Sequence, residues 1–164
     1  MIVSNSSPLI TLAEAGQLGL LPSLYGEVVI PPAVRSEVLA GSVELLPGSA
    51  EVATARWLRV EAPRDEALVE ELRRNLGAGE AEAVALAIEL GADTVLLDER
   101  RARRIATGRG LGVTGVLGVL LEAKARGLLE YVRPVLDALL AEGRYRISDE
   151  LYQETLRLTG EWPV

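Results

Sequence analysis

Four side chains that carry oxygen donors stand at the ends of strand-like segments or near helix starts: Asn5, Glu37, Glu80 and Asp98. Asp98 follows a buried-strand pattern at 94–97, and arginines come directly after it. In sheets of parallel strands, ligands bind at the C-terminal ends of the strands. Because hard divalent cations prefer carboxylate and amide oxygens as ligands, this pattern predicts a metal site that handles phosphate.

Each of these residues, taken alone, also has a simpler structural interpretation. Glu80 lies near a helix N-terminus, where negative charge stabilises a helix by about 0.3–1 kcal/mol. Asp98 can cap the helix that follows it, Glu37 can pair with an arginine, and Asn5 can form an Asx turn. Only the convergence of all four in one fold favours the metal site over these interpretations.

The choice between Glu80 and Glu82 depends on which side of their helix faces the core. Glu80 shares its face with Val84 and Ile88 at helical spacing. Glu82 falls on the opposite side, together with Glu89, and we expect that side to be solvated. Glu80 is therefore the preferred acidic position of this helix, and Glu82 is the second choice.

A cluster of arginines follows Asp98, at positions 100, 101, 103 and 104. The arginine fork can bind phosphate oxygens in bidentate fashion. Four arginines in five residues cover all sides of a helix, so some of them are ordinary solvated charges. The glycines between 108 and 118 lack the lysine of a phosphate-binding loop, and we interpret them as turns and close packing.

The composition excludes several kinds of chemistry. The chain has 164 residues with neither cysteine nor histidine, which excludes disulfides, zinc-thiolate sites and Ser-His-Asp triads. Any metal must be bound by oxygen, which indicates Mg²⁺, Mn²⁺ or Ca²⁺. The net charge is −7 and Lys124 is the only lysine. That balance argues against a broad grip on duplex nucleic acid but permits a local patch that contacts a few phosphates.

The sequence also predicts where the protein resides. Hydrophobic residues make up 49% of the chain, and no apolar run approaches the roughly 20 residues of a membrane span. The start of the sequence lacks the pattern of a signal peptide. We therefore expect a soluble, cytoplasmic protein with no membrane association.

Strand-like and helix-like segments alternate along the chain. We predict strands at 1–5, 27–30, 57–60, 94–97 and 112–114. Ser7 is the predicted N-cap of the first helix, with Pro8 at its first position, and residues 41–48 form a turn-rich break. The alternation predicts a parallel sheet covered on both faces. The expected fold is α/β, a three-layer α/β/α architecture in a single domain over 1–164.

Five segments resemble the PIN-domain family, in particular its compact prokaryotic branch of VapC-toxin-like ribonucleases. They cover most of the chain in order and read VSNSSPLI at 3–10, VVIPPAVRSEVL at 28–39, GEAEAVALAIELGAD at 79–93, LLDERRARRIA at 96–106 and GVTGVLGVLLEAKARGLL at 112–129. The resemblance implies a Rossmann-like domain with a central parallel sheet. It also implies metal-dependent endoribonuclease activity with Mg or Mn, often as the toxin of a toxin–antitoxin pair.

The resemblance implies a role for each of the four oxygen donors. The acidic cluster that holds the metal in the family falls on Asn5, Glu37, Glu80 and Asp98, and its three carboxylates would be catalytic. Asn5 departs from the family, which generally has aspartate there. An amide oxygen still ligates a hard cation, but one negative charge is lost, for which Glu82 or Glu99 can compensate. The alternative is a catalytically weakened PIN-fold module that binds RNA or protein.

The resemblance further implies substrate contacts and partners. Ser7 matches the small hydroxyl residue after the first acidic position, and Arg103 matches the arginine that usually follows the fourth. The resemblance implies that Arg103, together with Arg104, holds a phosphate of the substrate. Single-stranded or looped RNA is the expected substrate, because an acidic protein with a narrow site suits a flexible backbone. An antitoxin protein and a homodimer or higher oligomer are the expected partners. The apolar faces at 117–121 and 136–140 fit either the core or a dimer interface.

Overall fold

The structure, a computed structural model, describes residues 1–42, 49–143 and 145–163. Its five strands are all parallel and form one sheet in the order β3-β2-β1-β4-β5. They are β1 (Ile2–Ser4), β2 (Val28–Ile30), β3 (Leu58–Val60), β4 (Thr94–Leu96) and β5 (Gly112–Thr114). Each predicted strand is confirmed, with ends that differ by no more than two residues.

Helices lie on both sides of this sheet, which confirms the three-layer α/β/α fold. In chain order they are α1 (Ser6–Glu14), α2 (Leu20–Tyr25), α3 (Pro32–Ser42), α4 (Ser49–Thr54), α5 (Glu66–Arg73), α6 (Ala78–Leu90), α7 (Arg100–Gly108), α8 (Val116–Ala125), α9 (Arg133–Ala141) and α10 (Asp149–Leu158). The predicted break at 41–48 has its first two residues in α3, and the remainder lies outside the described residues.

The start of α1 corrects a prediction about Ser7. The helix begins at Ser6 with Asn5 as its N-cap, so Ser7 is inside the first turn rather than at the cap. Pro8 then occupies the third helical position. This is tolerated because the first four N–H groups of a helix have no intrahelical acceptor in any case.

The sheet reverses its direction of growth between β1 and β4. From β1 the chain adds β2 and then β3 on one side, and it then adds β4 and β5 on the other side of β1. In β1 and β4, Ser4 lies opposite Leu96. This is the topological switch point, where open α/β sheets form a crevice beyond the C-terminal ends of the strands.

The central strands read as continuous apolar runs because both of their faces are covered. All three residues of β1 and of β2 are buried, whereas the edge strands β3 and β5 are partly exposed. The apolar faces at 117–121 and 136–140, for which the sequence allowed either the core or a dimer interface, contribute to this core. Val119, Leu120, Leu136 and Leu139 are all buried. Within the described residues, no helix has the length and apolar character needed to cross a bilayer.

Candidate active site

Asn5 lies directly after β1 and is almost fully buried, with 5% of its surface exposed. Its backbone N–H donates to the Leu96 carbonyl at 3.0 Å, which continues the pairing of β1 with β4. Its side-chain Oδ1 is also buried, and among the described residues it has no hydrogen-bond partner. A buried amide oxygen without a partner is unfavourable by about 1–3 kcal/mol, so this atom calls for a ligand.

Asp98 lies two residues after the end of β4, beside the same crevice. Its Oδ1 accepts a hydrogen bond from the Val116 N–H at 3.0 Å. Its Oδ2 is buried and, in the part of the chain that the structure describes, lacks a hydrogen-bond partner. Burial raises the pKa of Asp98, while the Val116 N–H and the positive charge of Arg103 oppose that shift. Asp98 therefore caps α8, and the helix directly after it, α7, is capped instead by Glu99, which accepts from the Ala102 N–H at 2.8 Å.

Arg103 is held against Asp98 by the backbone around it. Its Nη1 donates to the Leu97 carbonyl at 3.2 Å. A Cβ atom at Gly115 would lie 2.7 Å from that Nη1 and would also collide with Asp98 Oδ1. Gly115 is thus required for the close approach of Asp98 and Arg103 to the start of α8.

Glu37 uses both of its carboxylate oxygens in hydrogen bonds. Oε2 accepts from Ser6 Oγ at 2.5 Å, and Oε1 accepts from the Gly79 N–H at 3.0 Å. A Cβ at Gly79 would be 2.5 Å from Glu37 Oε1, so only glycine leaves room for this carboxylate. Glu37 therefore ties α1, α3 and the start of α6 together, and its partners are a hydroxyl and a backbone amide rather than an arginine.

Glu80 and Glu82 are both half-buried near Glu37. Glu80 Oε1 accepts from the Gly77 N–H at 3.2 Å at the start of α6. Burial raises the pKa of Glu80, and the carboxylates of Glu99 and Glu37 add to that shift, against the Gly77 hydrogen bond. Burial likewise raises the pKa of Glu82, although the backbone N–H of Ala33 opposes it.

The expected solvated side of α6 therefore holds for Glu89, which is exposed, but only in part for Glu82, which is half-buried. The cause is the composition of α6, in which Ala81 and every residue from 83 to 87 are buried. This helix packs against both α3 and α5, so it presents apolar residues on almost all sides. Helical spacing of apolar residues cannot choose a single buried face in such a helix.

The predicted metal-site residues fall into two neighbouring groups. Asn5 and Asp98 flank the switch point, whereas Glu80 and Glu82 lie close enough to Glu37 for its carboxylate to raise the pKa of both. Ser6, next to Asn5 in the chain, contacts Glu37 and so connects the groups. Over the described ranges, no set of three or more acidic side chains is close enough to hold a metal ion by itself.

The donor atoms nevertheless fit a hard cation in their chemistry. Asn5 Oδ1 and Asp98 Oδ2 are an amide and a carboxylate oxygen, both buried and both without a hydrogen-bond donor among the residues described. Mg²⁺ and Mn²⁺ prefer oxygen ligands of this kind, and Mg²⁺ usually keeps several waters rather than filling its sphere with protein ligands. Two protein donors with further water-mediated ones are thus a plausible basis for a site.

A cleft with a volume of about 850 Å³ opens beside Asp98. Ser7 and Arg103, both predicted substrate contacts, line it, whereas Arg104 is exposed and is not among the described lining residues. The Ala102 N–H, with the charges of Arg101 and Arg104, lowers the pKa of Glu99, which places Arg104 beside that carboxylate.

Several cleft residues are absent from the site predicted from the sequence, in which Arg100 is named only as a member of the arginine cluster. They are Thr11, Arg100, Tyr145 and Arg146. Burial raises the pKa of Tyr145, and the negative charge of Asp98 adds to the shift, so the phenol lies within electrostatic reach of the carboxylate. Tyr145 and Arg146 precede α10 in an irregular segment without a recognisable motif, and only the tertiary fold brings them to the cleft.

These features define an α/β domain with buried oxygen donors at its switch point and an arginine-lined cleft beside them, a combination suited to hard cations and phosphate. A family model described as a PIN domain matches residues 1–161. The chain belongs to the PIN-domain family, whose members are generally nucleases and typically use divalent metals. No curated protein and no solved structure matches the chain.

Proposed function

We propose that the protein is a metal-dependent endoribonuclease of the PIN type that uses Mg²⁺ or Mn²⁺. The observation that carries this proposal is the pair of buried oxygens, Asn5 Oδ1 and Asp98 Oδ2, without hydrogen-bond partners in the described chain at the switch point. Buried polar atoms are normally satisfied. A pair left unsatisfied beside an arginine-lined cleft is most simply explained by a cation that accompanies a phosphate substrate.

In this proposal, different residues bind the cation and the phosphate. Asn5 and Asp98 would hold the cation, with Glu37 and Glu80 as further metal-binding and catalytic carboxylates. A bound divalent cation supplies charge neutralisation and a water of lowered pKa. Arg103, fixed by its bond to the Leu97 carbonyl, would bind the phosphate under attack.

The remaining substrate contacts follow from position. Ser7 lines the cleft next to the Asn5–Ser6 turn and would contact the substrate or the groups around the cation. Arg104, exposed in the middle of α7, would approach the RNA only outside the cleft. Single-stranded or looped RNA suits this arrangement because the chain is acidic overall, with a net charge of −7, and its cationic groups are local.

Cleavage of RNA by the purified protein tests the proposal. Wild-type protein with Mn²⁺ or Mg²⁺ should cleave a structured RNA at internal positions, and chelation by EDTA should stop it. Asp98→Asn should abolish cleavage, whereas Asp93→Asn should not. Asp93 is a matched control because it precedes the same strand, at its opposite end, and is exposed. Metal-independent cleavage, or full activity in Asp98→Asn, would contradict the proposal.

A second candidate function is a PIN-fold module that binds RNA or protein without cleaving it. Asn5 favours this alternative, since the amide lacks the negative charge that a carboxylate would bring to the site. The two candidates differ in the response to Asn5→Asp. A weak nuclease gains activity from the restored charge, whereas a binding module stays inactive with both side chains.

The biological setting proposed for the enzyme is the toxin of a toxin–antitoxin pair, in the cytoplasm, with a protein antitoxin and self-association as further expectations. Support for this comes from the family resemblance alone. Induced expression of the wild-type chain in a bacterial host should arrest growth, and expression of Asp98→Asn at the same level should not. Equal growth with both chains would remove the toxin assignment but leave the nuclease proposal intact.

A further inference from the structure

Two arginines of the cleft carry charges that the described protein does not neutralise. Arg100, at the start of α7, and Arg146, in the segment before α10, both line the cleft. Within the described residues neither forms an ion pair or a side-chain hydrogen bond. In a chain with 24 acidic and 17 basic residues, two unpaired arginines directed at one cavity indicate an anionic ligand.

Other arginines of α7, and Arg109 at its C-cap, contact other groups of the protein. Arg109 pairs with Glu71 at 3.0 Å, and Arg103 donates to the Leu97 carbonyl beside Asp98. Arg101 lies near Glu99. The pKa of Glu99 is lowered by the Ala102 N–H and, in addition, by the positive charge of Arg101. The availability of Arg100 and Arg146 is therefore a property of the cleft and not of every arginine in this region.

The rest of the cleft has an apolar wall and hydroxyl groups, which suit a ligand larger than a simple anion. Leu117, Ile147 and Leu151 line it, and Leu151 keeps 43% of its surface exposed although it is apolar. Ser7 and Thr11, one helical turn apart on α1, add hydroxyl groups. A volume of about 850 Å³ lies within the range of roughly 300–1,000 Å³ typical of small-molecule sites, which can hold a nucleotide but not a duplex.

We infer that this cleft is a nucleotide subsite for single-stranded RNA, in which Arg100 and Arg146 bind a phosphate and the apolar wall receives an unpaired base. The inference rests on the proposed function, because Asp98 borders the cleft and the bound phosphate would neighbour the one under attack. A base can contact the apolar wall only when it is unstacked from a partner strand. The subsite therefore selects single strands.

Binding measured without metal tests the subsite independently of cleavage. A short fluorescein-labelled single-stranded RNA is titrated with protein in EDTA, and the dissociation constant is followed by fluorescence anisotropy over a range of salt concentrations. Arg100→Gln and Arg146→Gln should each weaken binding roughly tenfold. Each should also lower the slope of log affinity against log salt by about 0.7, the value for one phosphate contact on a single strand.

Arg101→Gln is the matched control, since it removes the same charge one residue away from Arg100, outside the described lining of the cleft. It should leave affinity and slope close to wild type. Unchanged binding in Arg100→Gln and Arg146→Gln, an equal loss in Arg101→Gln, or equal affinity for a duplex of the same length would each overturn the subsite.

The outcomes separate the subsite from the nuclease proposal. Specific loss of binding in the two cleft variants, by a protein that never cleaves RNA, keeps the subsite and rejects the enzyme. Metal-dependent cleavage that is insensitive to both variants, with unchanged binding, keeps the enzyme and rejects the subsite. A thermal melt of each variant identifies any that fails to fold, and for such a position Arg→Met, which also removes the charge, replaces Arg→Gln.

Discussion

The oxygen donors of the active-site region fall into two groups that differ in how the protein uses them. Glu37 and Glu80 accept hydrogen bonds from the chain around the start of α6, and both oxygens of Glu37 are occupied. Asn5 and Asp98, at the ends of β1 and β4, each have one buried oxygen with no hydrogen-bond partner among the described residues. All four are predicted from the sequence to be metal ligands, so the prediction does not distinguish between the two groups.

This difference indicates that Glu37 and Glu80 stabilise the fold through their hydrogen bonds, whereas Asn5 and Asp98 each leave one buried oxygen unsatisfied among the described residues. Carboxylates bonded to backbone N–H groups and hydroxyls are favourable in the absence of any ligand. A buried, unsatisfied oxygen is unfavourable until a ligand meets it. Without a ligand, the buried oxygens at the strand ends are therefore unfavourable for stability, as polar groups at functional sites commonly are.

The largest expected effect comes from disturbing the strand-end group without changing a charged residue. In Gly115→Ala the new Cβ would collide with Asp98 Oδ1 and lie 2.7 Å from Arg103 Nη1. Displacement of the carboxylate by a fraction of an ångström to one ångström should lower kcat/KM for RNA by about 100-fold. The kinetic assay is the same RNA cleavage reaction, run at saturating Mn²⁺.

Gly108→Ala serves as the control for that variant. Gly108 is the last residue of α7, and no atom of the described residues lies within 4 Å of a Cβ built there. Its activity should equal that of wild type. Similar activities in Gly115→Ala and Gly108→Ala would show that the position of Asp98 does not matter for catalysis.

The next largest effect is on the free energy of unfolding, measured in EDTA for one variant from each group. In Glu37→Gln the single carbonyl oxygen still accepts from the Gly79 N–H, while the amide NH2 can only donate to Ser6 Oγ, so that hydrogen bond reverses and both bonds lose their charge. The substitution should lower the free energy of unfolding by about 1–2 kcal/mol. Asp98→Asn removes a buried charge and keeps an acceptor for Val116, so it should raise the free energy of unfolding by about 1 kcal/mol. Urea denaturation at neutral pH measures both, and a loss of stability in both variants would erase the distinction.

Asn5→Asp sharpens the comparison by adding charge to the strand-end group alone. A second carboxylate beside Asp98 should tighten Mn²⁺ binding by roughly tenfold, because ligand charge is a main determinant of affinity for hard cations. Isothermal titration calorimetry measures it. Asn75→Asp, an exposed position after α5, controls for net charge. Equal Mn²⁺ affinities in the two variants would mean that Asn5 is not a ligand.

The smallest expected effect is the pH dependence of the Asp98→Asn stabilisation. Burial raises the pKa of Asp98 above its ordinary value of 3.8, so the folded protein binds its proton more tightly than the unfolded chain does. The stabilising contribution of the protonated carboxyl is complete below pH 3.8 and is lost as pH rises through the raised pKa. The difference in melting temperature between Asp98→Asn and wild type in EDTA should therefore be small near that pH and grow toward neutrality. A constant difference would contradict the shift.

The sequence predicts the sheet and most helices well because each strand has a strong local signal. The strand-like runs at 28–30 and 94–97 are bounded by charged residues or proline, and their alternation with helices leaves few topologies. Ser7 and Pro8 mark the first helix, but the exact cap depends on the turn that Asn5 makes after β1. The position of the cap is therefore set by tertiary structure, since the Asn5 N–H donates a hydrogen bond to the Leu96 carbonyl on another strand.

The candidate site is only partly predictable from the sequence. Asn5, Glu80 and Asp98 stand out by their positions at the ends of elements, and Glu37 by its place on an apolar helix face. Nothing local reveals which of their oxygens are already hydrogen-bonded. Arg146 belongs to an irregular segment and reaches the cleft only because the last helices pack on the core through residues such as Leu136 and Leu156. Long-range packing of this kind leaves no short-range pattern.

A crystal structure of the protein grown with Mn²⁺ tests the central claim most directly. An anomalous difference peak should lie within about 2.0–2.6 Å of both Asn5 Oδ1 and Asp98 Oδ2, the distance range of hard cations to oxygen. A peak bound only by Glu37 and Glu80, or no peak at the ends of β1 and β4, would contradict the claim that the unsatisfied oxygens mark the metal site.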